Sequence, residues 1–228
     1  MAELEIRTII FALVGGIIPA ILWLWFWLKE DDRRPEPKLL LLLTFLIGMV
    51  SVFIVLPIQR IFEGMPLHSN VLVVIWASIE EIIKFLVVWV VALNSKAADE
   101  PVDFAIYMII GALGFAALEN ALFLIDPIDL KDATITLITG NLRFLGAMLL
   151  HAVSSAGIGI ALGLSFYRNW FAKRIFLGIG ILGAITLHST FNFLIINNDG
   201  SLLNVFSLLW VVTIIVLLIF EQLRRMAN

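Results

Sequence analysis

Residues 71–93 read VLVVIWASIEEIIKFLVVWVVAL, a stretch that is apolar except for Glu80, Glu81 and Lys84 near its middle. Its length matches the roughly 20 residues that an α-helix needs to cross the hydrocarbon core of a bilayer. A charged side chain at the centre of such a helix costs about 2.5–3.5 kcal/mol on insertion scales, so three of them need an explanation. The stretch therefore predicts a membrane-spanning helix that carries a functional site.

Similar apolar segments lie on both sides of this helix, and each holds at most one acidic, basic or histidine residue. They are residues 8–28, 39–59, 104–125, 144–167, 175–198 and 200–220. The chain of 228 residues is 61% hydrophobic and 14% charged, which excludes a water-soluble enzyme and a disordered tail. The sequence therefore predicts an all-α, polytopic transmembrane bundle of about seven helices, with residues 1–228 forming a single integral membrane domain.

The charges between the segments predict orientation and exclude several classes of function. Alternate loops carry ten Lys and Arg residues on one side and four on the other. Because cytoplasmic loops carry the excess, we expect the N-terminus outside and the C-terminus in the cytoplasm.

The net charge of −3 provides no basic surface for nucleic acid, so the expected environment is the lipid bilayer. The absence of cysteine excludes disulfides, thiolate metal sites and a cysteine nucleophile.

Polar groups on four predicted helices lie at similar depths, about 6–15 Å below the outer surface at roughly 1.5 Å per residue. These candidate catalytic residues are Glu80, Glu81, Glu119, His151, His188 and Asn192. Four further side chains are expected to support them: Lys84, Asn120, Arg143 and Ser155. Polar residues that only support the fold need not share a depth, so we expect these groups to surround one site in the outer half of the bilayer.

Helical spacing brings some of these groups together on one face. Lys84 follows Glu80 by four residues and Glu81 by three, so it can reach both carboxylates. Two adjacent carboxylates and one ammonium group are not all comfortably ionised in a low dielectric. One glutamate is therefore expected to exchange a proton readily, which suits general acid–base catalysis.

Such a set of groups could hydrolyse a peptide bond. A glutamate would take a proton from water, His188 and Asn192 would stabilise the oxyanion, and a glutamic acid or His151 would protonate the leaving amine. Zinc is the alternative, with candidate ligands His151, His188, Glu81 and Glu119. The chain has no H-E-x-x-H motif, so a zinc site would have to be assembled across helices. The sequence favours no cofactor and leaves both versions open.

Four motifs in order resemble those of the PrsW family of intramembrane proteases. They are Glu80-Glu81-x-x-Lys84 (EExxK), Phe115-x-x-x-Glu119-Asn120 (FxxxEN), His151 with Ser155 one turn later, and His188-x-x-x-Asn192 (HxxxN). The family is distantly related to the CAAX prenyl endopeptidases and bacteriocin-immunity proteins. The resemblance implies a glutamic-type or metal-dependent endopeptidase with a motif-bearing core at 71–198. It also implies a bacterial plasma membrane and a membrane-tethered, single-pass substrate similar to an anti-sigma factor, cut near the outer side.

Differences from the CAAX branch narrow this interpretation. That branch has EExxxR where this chain has EExxK, and it has a histidine at the position of Glu119, so specificity for a prenylated cysteine is not expected.

Two other functions fit a polar membrane site. One is a proton- or ion-coupled transporter, although the inner half of the bilayer carries almost no polar groups and no inverted repeat is present. The other is a non-catalytic immunity or partner protein.

Overall fold

The computed structural model of the protein describes residues 6–30, 36–125, 133–197 and 202–226. Its helices are α1 (Ile6–Glu30), α2 (Lys38–Glu63), α3 (Ser69–Val88), α4 (Asp103–Ile125), α5 (Ala133–Leu164), α6 (Trp170–Asn197) and α7 (Leu202–Met226). A π-helical turn, Trp89–Leu93, extends α3. The described ranges contain no strand. The predicted all-α bundle of seven helices is therefore confirmed.

Several helices extend beyond the apolar segments from which they were predicted. α2 ends at Glu63 rather than at residue 59, α5 begins at Ala133 rather than at 144, and α6 begins at Trp170 rather than at 175. Charged residues mark where the hydrocarbon layer ends, whereas backbone hydrogen bonding continues into the interfacial layer. The charge pattern therefore predicts where the membrane lies more accurately than it predicts where each helix begins or ends.

Six of the helices are long and apolar enough to cross a membrane. The other, α3, carries the three charged residues Glu80, Glu81 and Lys84, all of which are buried inside the bundle. The outer surface of the bundle is apolar, and large side chains such as Val90 and Leu182 are exposed on it. An apolar surface of this extent is stable in lipid rather than in water. The chain is a multi-pass membrane protein.

Helix α4 lies at the centre of the bundle and packs against α1, α2 and α5. Every residue from Ala105 to Leu118 is buried. A helix that is apolar on all sides is stable only when other helices surround it. Glu119 follows directly after this buried run, so the position of α4 determines the position of that carboxylate.

Two glycines allow α2 to lie directly against α4. A Cβ atom added to Gly48 would lie 2.0 Å from the carbonyl oxygen of Gly111, and one added to Gly114 would lie 2.0 Å from that of Phe45. Small residues let membrane helices approach until their backbones touch, and this contact replaces the hydrophobic effect that drives packing in water. The backbone of α4 therefore leaves no room for a side chain at position 48 of α2.

We expect Gly48→Ala to lower the midpoint of thermal unfolding, because the added methyl group forces α2 away from α4. Gly178→Ala is the matched control, since a Cβ at Gly178 meets nothing within 4 Å. The same change there should be neutral, or stabilising by up to about 1 kcal/mol through helix propensity. Tryptophan fluorescence during heating in detergent measures both. Equal midpoints for the two variants would contradict the described packing.

Candidate active site

Glu81 is the most heavily bonded side chain of the site, and none of its surface is exposed. Four groups that can donate lie within hydrogen-bond distance of its carboxylate: Lys84 Nζ at 2.6 Å, Ser155 Oγ and His188 Nδ1 at 2.8 Å each, and Ser154 Oγ at 3.0 Å. They come from α3, α5 and α6. Through these bonds, Glu81 joins three helices. Because both of its oxygens already accept hydrogen bonds, it has little capacity left to bind a metal or a water molecule.

Lys84 also fixes the orientation and tautomer of His151. Its Nζ atom lies 3.0 Å from His151 Nδ1. An ammonium group has donors and no acceptor, so Nδ1 accepts this bond and the ring proton lies on Nε2. The Nε2 atom is 2.9 Å from Glu119 Oε2, to which it donates. His151 therefore links the buried cation of α3 to the carboxylate of α4.

His188 is oriented by Glu81. The bond from its Nδ1 atom to Glu81 Oε1 places the ring proton on Nδ1 in the neutral ring, because a carboxylate accepts. The lone pair then lies on Nε2, which is 3.6 Å from Glu80 Oε2. A histidine held by a carboxylate at one nitrogen, with the other nitrogen free, is the usual arrangement of a metal-binding histidine.

Glu80 points in a different direction from Glu81 because successive helical residues are about 100° apart. Its Oε1 atom accepts a hydrogen bond of 2.9 Å from Gln59 Nε2. Its Oε2 atom is buried and has no hydrogen-bond partner within the described part of the chain. That oxygen lies near both histidines, 3.9 Å from His151 Nδ1 and 3.6 Å from His188 Nε2.

Glu80, His151 and His188 together could hold a metal ion. One ligand atom from each lies within 4.8 Å of the other two, and all three residues are buried. Two imidazole nitrogens and one carboxylate oxygen suit zinc in a site that keeps one coordination position open. The sequence named Glu81 and Glu119 as the candidate carboxylate ligands. The structure instead brings Glu80 close to both histidines, with an Oε2 atom that has no hydrogen-bond partner among the described residues.

Aromatic contacts hold the two histidines against each other. The rings of His151 and His188 meet edge to face with their centres 5.0 Å apart. Phe115 lies under this pair, with its ring 5.4 Å from that of His151 and 5.0 Å from Lys84 Nζ. Phe115 thus shields the buried cation and limits rotation of His151.

Exposure separates the three glutamates. The side chain of Glu119 is 36% exposed, whereas those of Glu80 and Glu81 are 8% and 0% exposed. Glu119 is therefore the most accessible of the three carboxylates. The site has one partly exposed carboxylate at its edge and two enclosed ones.

The remaining predicted residues are less closely connected to this cluster. Asn192 lies one turn after His188 and is half-buried. Asn120 is buried, and its Nδ2 atom has no partner in the described ranges. Ser155 bonds to Glu81 as described above. The side chain of Arg143 falls outside the described residues.

Two contacting residues were not predicted from the sequence. Ser154 precedes Ser155, and both hydroxyls reach Glu81 because that carboxylate presents one oxygen to each. Gln59 comes from α2, outside the predicted core at 71–198. A polar residue near the end of a membrane helix is common, so its position in the sequence provided no signal.

Comparisons with known proteins identify the family of this chain. The sequence profile of a family described as PrsW family intramembrane metalloprotease matches residues 36–219. The protein named Protease PrsW from Geobacillus kaustophilus is 28% identical over 83% of this chain and 82% of its own length. The one from Bacillus subtilis is 27% identical, over 81% and 83%.

A third protein of the same name, from Clostridioides difficile, is 27% identical over 79% of this chain and 77% of its own length. No solved structure matches the chain. The family match covers every motif residue described above, the whole of helices α2 to α6 and residues 202–219 of α7. The chain therefore belongs to the PrsW family of intramembrane metalloproteases.

Proposed function

We propose that this protease hydrolyses a peptide bond of a single-pass membrane protein near the outer side of the membrane, at Glu80, His151 and His188. The observation that carries the proposal is the unpartnered Oε2 atom of Glu80, buried between two histidines. Leaving a buried carboxylate oxygen without a donor costs free energy. Such a group suits a site that is completed by a cation or by substrate.

The residues fit the metal that the family description implies. His188 offers a lone pair at Nε2, and Glu80 offers Oε2. His151 is the third group within reach, and its Nδ1 atom would bind the ion in place of the hydrogen bond from Lys84. This tautomer supports a ligand role for His188 over the oxyanion-donor role expected from the sequence, because its proton is already donated to Glu81. When bound, a divalent cation would polarise the scissile carbonyl as a Lewis acid.

In this mechanism Glu119 accepts the proton of the attacking water. Its carboxylate is the most exposed of the three and accepts a hydrogen bond from His151, so it would take a proton from the attacking water. The water oxygen bonds to the carbonyl carbon, and the amide of Asn192 can donate to the oxyanion. Cleavage of the carbon–nitrogen bond then returns the proton from Glu119 to the leaving amine. The products are a carboxylic acid and an amine, so one water molecule is consumed per bond.

The expected substrate is a membrane-tethered protein similar to an anti-sigma factor, and the expected location is the bacterial plasma membrane. Three points support this. The relatives are bacterial, the family motifs are present, and the predicted orientation directs the site toward the outer surface. With the N-terminus outside, the connection between α2 and α3 lies on the outer side, and Gln59 lies only four residues before the end of α2.

We expect Glu80→Gln to abolish cleavage while the protein still folds, because the substitution removes the carboxylate between the histidines. The assay uses protein purified in detergent and a reporter with one Leu/Ala transmembrane helix and a quenched fluorophore pair in its outer juxtamembrane segment. Glu63→Gln is the matched control, at an exposed carboxylate at the end of α2. Full cleavage by Glu80→Gln would exclude the proposed chemistry.

A second prediction concerns metal dependence. Incubation with 1,10-phenanthroline should stop hydrolysis of the same reporter, and added Zn²⁺ should restore it, because the histidine nitrogens hold the ion. Metal content measured by mass spectrometry should be close to one ion per chain, and well below that in His188→Ala. A hydrolysis rate that chelator does not change would instead support the metal-free alternative, with Glu80 Oε2 as the base.

The orientation can be tested with cysteine labelling, since the chain has no natural cysteine. Met65→Cys, in the exposed α2–α3 connection, should react with a membrane-impermeant maleimide on intact cells. Asn94→Cys, in the exposed connection between α3 and α4, should react only after the cells are opened. The reverse pattern would place the N-terminus in the cytoplasm and the cleavage site on the opposite side of the membrane.

A further inference from the structure

Helix α2 reaches the candidate site through one side chain, Gln59. Its Nε2 atom donates a 2.9 Å hydrogen bond to Glu80 Oε1, and the contact is partly buried. Gln59 lies four residues before the end of α2, whereas Glu80 lies eleven residues into α3. The bond therefore joins the outer end of one helix to the middle of the next, at the carboxylate that lies beside the two histidines.

This bond decides which oxygen of Glu80 is available. Among the described residues, Gln59 is the only group that hydrogen-bonds to the Glu80 carboxylate. A glutamate side chain has several rotatable bonds, and burial alone does not choose between its rotamers. With Oε1 held on the α2 side, Oε2 remains near His151 Nδ1 and His188 Nε2.

The chemical type of Gln59 also suits this role. An amide donor carries no charge, so it supports the carboxylate without competing with a cation for it. A cationic partner in the same place would repel a metal ion. Carboxylates that bind metals are themselves commonly held by hydrogen bonds from an outer layer of residues, and loss of such a partner typically costs about 10–100-fold in metal affinity or activity.

We propose that Gln59 is a positioning residue of the active site, which holds the Glu80 carboxylate so that Oε2 faces the two histidines. The inference rests on the proposed function of Glu80, and it makes α2 part of the catalytic apparatus. A merely structural bond between α2 and α3 would affect stability in the same way but would leave the metal site and the turnover rate intact.

The test uses the full chain in detergent, with Co²⁺ as the metal probe and the quenched single-pass reporter as the substrate. Gln59→Met keeps an unbranched side chain of similar length and removes the donor. We expect Co²⁺ affinity and kcat each to fall about 10–100-fold, with KM changed less than twofold. The visible absorption bands of bound Co²⁺ should also change, because they report the geometry of its ligands.

Two further variants separate this role from a general effect on folding. Gln59→Asn keeps the amide but shortens it by one methylene, so it should show the same losses with little change in packing. It also serves if Gln59→Met fails to fold. Gln222→Leu, at the other glutamine of the chain and exposed on α7, should behave as the wild type. Thermal unfolding is measured for each variant.

Unchanged Co²⁺ affinity and kcat in a folded Gln59→Met or Gln59→Asn variant would overturn the inference. A fall in thermal stability alone would overturn it as well, because it would assign Gln59 a structural role. The two proposals fail separately. If Glu80→Gln cleaves normally, the proposed function is wrong; if Glu80→Gln is inactive while the Gln59 variants are normal, only the positioning role is wrong.

Discussion

The buried ion pair between Lys84 and Glu81, with an N–O distance of 2.6 Å, is the interaction on which the rest of the site depends. Removing one partner of a buried pair typically costs about 3–5 kcal/mol, because the other charge stays uncompensated. Ser154 and His188 contact the same oxygen as Lys84, Oε1, and Ser155 donates to the other oxygen, Oε2. Side chains of α5 and α6 thus stabilise the negative charge of Glu81 on α3, and the same hydrogen bonds hold those side chains in place.

The consequence is a division of roles between two neighbouring glutamates. Glu81 is saturated with donors and fixes the tautomer of His188, whereas Glu80 keeps one oxygen free beside the histidines. Helical geometry produces this difference, since adjacent residues point about 100° apart. Glu81 bonds to side chains of α5 and α6, whereas Glu80 has Oε1 bonded to α2 and Oε2 near the two histidines. The EExxK spacing therefore places a fully hydrogen-bonded carboxylate and one with an unbonded oxygen within a single turn of helix.

Close backbone packing around α4 makes this arrangement reproducible. Gly48 and Gly114 let α2 and α4 touch, so α2 is near enough for Gln59 to reach Glu80. The same central helix presents Glu119 to His151 at 2.9 Å. In a bilayer, where apolar surface gains little from burial against protein, such close contacts provide most of the association between helices. The geometry of the polar site thus depends on glycines that lie outside it.

The sequence by itself determined the helical class, the number of helices and most of the polar site, because apolar length and buried charge are read directly along the chain. It also determined the family, through motifs whose spacing is local to single helices. Only the tertiary structure decided which glutamate stands free between the histidines and which residue of α2 supports it. Those contacts join residues as distant as Gln59, Glu80 and His188, and their distances depend on how helices pack, which no local spacing encodes.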